Sequence, residues 1–121
     1  MAKRKLSALK REALKAWGKV ILTRQPMCLV CKSAPSKHPH HLFPRARYRH
    51  LHYDLRNGVG LCIKCHYQIH YDPFFPITYL LLEDGMPYLD DLAKDAVGGR
   101  RKNPYKRQEL ENIIIALKGA M

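Results

Sequence analysis

The chain has 121 residues, 46% of them hydrophobic and 26% charged, which bounds it to one globular domain with a modest core. No apolar run approaches the roughly 20 residues a membrane-spanning helix needs. The basic start Met1–Lys5 leads into an interrupted amphipathic segment, not a signal-peptide core, so neither a membrane protein nor a secreted one is expected, and the expected location is the cytoplasm. A formal charge of +12 and a pI near 9.8 point to a polyanionic partner, DNA or RNA above all, although such a surplus also serves solubility alone.

From Lys5 to Leu22 the spacing predicts a helix, with Leu6, Leu9, Ala13, Trp17 and Val20 on one face. Lysines and arginines, Lys10 and Lys15 among them, occupy much of the rest and are candidate phosphate contacts. Pro26 ends that pattern, and Cys28-x-x-Cys31 follows. A second pair, Cys62-x-x-Cys65, lies about thirty residues on. Each spacing lets two thiolates reach one ion, and the two pairs together read as a structural zinc site, with no cysteine left over for a disulfide.

Between the pairs, Ser33 to Pro39 reads as a polar loop and His40 to Phe43 as a short strand closed by Pro44. Arg45, Arg47, Arg49 and Arg56, interleaved with Tyr48, His50, His52 and Tyr53, make a basic loop suited to DNA phosphates with some stacking. Asn57-Gly58 is a turn signal, and Val59 and Leu61 alternate as a second strand. A helix from Ile63 to about Tyr71 carries His66 and His70 four residues apart, hence on one face.

Asp72-Pro73 opens a further helix over 74–83, stopped by Asp84-Gly85. Pro87 to Val97 is another, followed by the basic linker Arg100–Lys102. From Pro104 a last helix runs towards Lys118, burying Leu110, Ile113, Ile114 and Leu117.

The chemistry concentrates between His38 and His70, which hold all seven histidines. His40 and His41, adjacent on a strand, point to opposite sides and so serve different reactants. His66 and His70 can converge on one ion. A metal held by imidazoles with open positions polarises a phosphate, while a neutral imidazole removes a proton from water. Together these specify metal-assisted phosphodiester hydrolysis. The competing reading is a non-catalytic four-cysteine zinc module that binds DNA; it leaves the histidines without a task.

The pattern His40-His41-x-x-Pro44, Asn57, Leu61-Cys62-x-x-Cys65-His66 resembles the HNH endonucleases of the ββα-metal class, in their zinc-knuckle subgroup. The resemblance covers about residues 28–70. It implies that His40 and His66, with His70, bind a catalytic divalent ion, that His41 is the general base, and that Asn57 holds the loop positioning that base. It also implies 5′-phosphate and 3′-hydroxyl ends. Neither His40 nor His66 is a carboxylate, so Mn2+, Ni2+ or Co2+ could serve as well as Mg2+. A narrower likeness links the run to phage NinG/Rap recombination nucleases and, equally, to small phage packaging enzymes, which would place the protein in the cytoplasm of a phage or prophage host.

The expected fold is α+β: a treble-clef-like, zinc-stabilised ββα core over residues 28–71. A basic N-terminal helix over 1–25 and a helical extension over 72–121 surround it as one domain.

Overall fold

A computed structural model of the chain describes residues 4–44, 46–71, 89–99 and 104–120. Within them lie helix α1 (Leu6–Arg24), strands β1 (His38–His41) and β2 (Gly58–Leu61), and helices α2 (Ile63–Tyr71), α3 (Leu89–Gly98) and α4 (Arg107–Gly119). The result is a small α+β architecture around a two-stranded antiparallel sheet. The helix expected over 74–83, Arg45 and the linker Arg100–Lys102 lie outside the described residues.

α1 runs two residues past the expected Leu22, to Arg24, where the Gln25 N–H closes on the Ile21 carbonyl and Pro26 cannot continue the ladder. Its apolar stripe is buried at Leu9, Ala13, Trp17 and Val20, whereas Leu6 is 42% exposed. Against that stripe packs α4 through Leu110, Ile114 and Leu117, and Lys118 meets Glu12 at 2.8 Å. α4 starts at Arg107 rather than Pro104, since the Glu109 carboxylate accepts from the Lys106 N–H and so fixes the first turn three residues later.

The sheet pairs His38 with Leu61, Pro39 with Gly60, His40 with Val59 and His41 with Gly58. Pro39 is tolerated because Gly60 turns its own polar groups away, its N–H to the Gln25 side chain and its carbonyl to the Leu29 N–H. β1 thus runs His38–His41, two residues earlier than the expected His40–Phe43. The shift has a cause at the far end. At Phe43 the Asn57 side chain replaces the ladder, accepting from the Phe43 N–H at 2.7 Å and donating to its carbonyl at 3.1 Å.

Asn57-Gly58 is likewise not a hairpin turn. Asn57 closes a short 3-10 segment, Leu55–Asn57, and Gly58 opens β2 with φ −134°. Glycine is required there by proximity: a Cβ would stand 2.5 Å from both Trp17 and Ile21 of α1. Val59 and Leu61 bury with Cys28, Leu29, Cys62 and Cys65 in a second core. α3 docks separately, Leu92 and Ala96 covering Leu51.

Asn57 has no exposed surface, and it also donates to the Leu51 carbonyl at 3.1 Å. Asn57→Ala strips three hydrogen bonds from a dry site. It should lower the unfolding free energy by about 2–4 kcal/mol, the cost of stranding buried polar groups. Urea melts would read this, and an unchanged midpoint would show that the loop needs no such brace.

Candidate functional site

Among the described residues, two clusters of ligand-type side chains stand near the sheet. In the first, the sulfurs of Cys28, Cys31, Cys62 and Cys65 all lie within 4.8 Å of one another. A tight reversal builds one half: the Lys32 N–H donates to the Cys28 carbonyl, the Cys28 N–H to that of Ala34, and Lys32 takes the left-handed φ of 58°. The start of α2 builds the other, where the Cys65 N–H points at the Cys62 sulfur, 3.4 Å away.

Cys31 and Cys62 are 3.8 Å apart, sulfur to sulfur, and a tetrahedron with metal–sulfur bonds of about 2.3 Å has an edge of about 3.8 Å. The local fields also differ within the quartet. The Ser33 backbone N–H, then its hydroxyl, lower the Cys31 thiol to about 6, and burial pushes Cys65 up. At Cys28 burial opposes ionisation, but the N–H groups of Cys62, Cys31 and Val30 prevail and lower it. Four thiolates this close need a cation between them. The four cysteines are positioned to hold a structural metal such as zinc.

The second cluster is His40, His66 and His70, whose ring nitrogens also lie within 4.8 Å of one another. His40 comes from β1 and the other two from successive turns of α2. The Nε2 atoms of His66 and His70 are 3.0 Å apart, close to the separation of about 3.0–3.4 Å between two nitrogens each about 2.1 Å from one ion. Burial first, and then the neighbouring imidazoles His66, His70 and His41, lower His40 to about 4. Burial and then His70 and His38 lower His66 as well. Near pH 7 these two rings are therefore neutral, the form that binds a metal. Among the described residues no carboxylate joins the cluster.

His41, one residue on, faces the other way, as strand alternation requires. Its ring stacks on Trp17, with centroids 4.0 Å apart and planes 7° from parallel. Its Nε2 donates to the His52 carbonyl at 2.9 Å, which leaves the lone pair of the neutral ring on Nδ1. Trp17 is fixed in turn by its indole N–H, which donates to the Asp54 carbonyl at 3.0 Å. The Asn57 side chain braces the segment between Phe43 and Leu51, next to the His52 carbonyl.

No protein-family model matches the chain, nor does any curated protein or solved structure.

The basic residues divide. Lys10, Lys15, Arg47 and Arg49 are exposed. Arg56, expected to contact phosphate, is ion-paired in the fold: its guanidinium meets Asp54 at 2.7 Å and Asp95 of α3 at 2.6 Å. Its charge is committed to tying α3 to the loop. His38, which has no role in the spacing of the ligand residues, also approaches the cluster, its ring 4.9 Å from that of His66. The signal was the two-residue step to His40, which places both on one face of a strand, and the intervening Pro39 disguised it as a loop.

Proposed function

We propose that this chain is a metal-dependent DNA endonuclease of the HNH type, on a treble-clef-like ββα-metal core whose four cysteines hold a structural zinc. One observation carries the reading. The adjacent pair His40-His41 presents one imidazole to a three-histidine cluster and the other, oriented by a backbone carbonyl, to the opposite side of the same strand.

A divalent ion held by His40, His66 and His70 would supply Lewis acidity to a phosphodiester. The chain's residues do the rest. His41 takes the proton of the attacking water at Nδ1, while the carbonyl on Nε2 fixes the tautomer and steadies the imidazolium that forms. Asn57 is a positioning residue, holding the loop that supplies this carbonyl. Exposed cations such as Lys10, Lys15, Arg47 and Arg49 draw the DNA backbone to the surface. An all-imidazole ligand set favours Mn2+, Co2+ or Ni2+ over Mg2+. Phage recombination or genome packaging is the setting that the sequence resemblance favours.

Supercoiled plasmid incubated with the zinc-loaded protein and each of these four ions tests the reading. Nicked or linear product is expected, with Mn2+, Co2+ or Ni2+ at least as effective as Mg2+, and His66→Ala should abolish it while retaining zinc. Plasmid left intact with every ion, but retarded in a gel, would leave a zinc-stabilised DNA-binding module in its place.

A further inference from the structure

A cleft of about 400 Å³ opens between α1, the loop after Ala46 and the segment leading into α4. Three cations, Lys10, Arg11 and Arg49, stand on its wall, and Leu14, Tyr53 and Tyr105 supply apolar surface. Lys10, Arg11 and Arg49 are exposed, whereas Tyr53 is 8% exposed. The floor is tied together: Tyr53 stacks on His52 with centroids 4.4 Å apart, meets Tyr105 edge-on at 5.1 Å, and the Tyr105 hydroxyl donates to the Arg49 carbonyl.

His52 belongs both to this cleft and to the candidate base. It lines the cleft while its carbonyl holds His41. A strand lying over His41 therefore has the cleft beside it.

Resting on the endonuclease reading, we propose that this cleft takes one unpaired nucleotide of the substrate strand. The flat base lies against the Tyr105, Tyr53 and Leu14 surface, and its phosphate meets Lys10, Arg11 and Arg49. The volume is at the small end of ligand sites, adequate for a single nucleotide and too small for a base pair with its two backbones. A fully paired duplex cannot place a nucleotide there. The protein should thus prefer DNA with an extrahelical or single-stranded nucleotide next to the scissile bond.

The test uses zinc-loaded full-length protein without added divalent ions, so that binding is read apart from cutting. Two duplexes of one sequence are compared, one carrying a single bulged 2-aminopurine. The bulged duplex should bind about tenfold more tightly, the order of one stacked base, and its 2-aminopurine emission should fall. Tyr105→Ala and the double variant Lys10→Ala/Arg11→Ala, the latter at exposed positions that leave the core untouched, should each reduce the preference to about twofold or less and restore the emission.

Equal binding of both duplexes by the wild type, or an unchanged preference in both variants, would overturn the proposal even if plasmid is cut. A preference that both variants erase supports the cleft as a nucleotide site even if no ion promotes cutting, in which case only the nuclease reading fails.

Discussion

His41→Ala is expected to cut plasmid about 10²–10⁴-fold more slowly than the wild type, the usual contribution of a positioned general base, while keeping its zinc and most of its DNA affinity. The size of the effect follows from what His41 touches. Its Nε2 is engaged by the His52 carbonyl, so the ring is held in one tautomer with Nδ1 as its basic atom. The substitution also removes a ring stacked on Trp17, at a cost to stability of about 1 kcal/mol beyond the lost burial. A slightly lower melting temperature is therefore part of the expected result. His41→Gln, which can still reach a carbonyl but is not basic, separates the two effects: it should recover some stability and none of the activity. Full activity in either variant would remove His41 from the chemistry.

Much of the site was legible because its spacing is local. Cys28-x-x-Cys31 and Cys62-x-x-Cys65 can each reach one ion whatever surrounds them, and the four sulfurs meet as the spacing implies. His66 and His70 share a helix face through a four-residue step, and His40 and His41 part through a one-residue step on a strand. What was hidden depends on partners remote in sequence. Arg56 reads as a free cation until Asp95, 39 residues on, is brought beside it. Asn57-Gly58 reads as a turn because both residue types favour one. In the fold, the asparagine substitutes for ladder bonds at Phe43, and the glycine makes room for α1, far upstream in the chain. Nothing local announces either. The cleft joins Lys10, Tyr53 and Tyr105 from three separate segments, and periodicity within any one of them is silent about it.

Removing one cysteine should do more damage than removing any histidine, and of a different kind. Cys62→Ser is expected to lose zinc, melt or aggregate, and lose activity as a consequence. Cys28, Cys62 and Cys65 are buried together with Leu29, Val59 and Leu61, so an ion held by the quartet sits inside one of the chain's main cores. Structural zinc sites contribute apparent free energies on the order of 10 kcal/mol, comparable with the whole stability of a domain, about 5–15 kcal/mol. A core this small has little to offset such a loss. The histidine cluster is built differently: His70 is exposed and His40 and His66 are half-buried, so an ion held there would be open to exchange with solvent. Brief EDTA treatment should accordingly abolish cutting while zinc content and melting temperature barely change, and Mn2+ should restore it. His66→Ala should copy the EDTA result, not the cysteine result, although Cys65 and His66 are neighbours in the chain. Adjacent residues on α2 point about 100° apart, and here one turns into the thiolate quartet and the other towards His40. Zinc loss and unfolding in His66→Ala, measured by metal analysis and circular dichroism, would mean that the two clusters are one site, and the separation of a folding metal from a reacting one would fall.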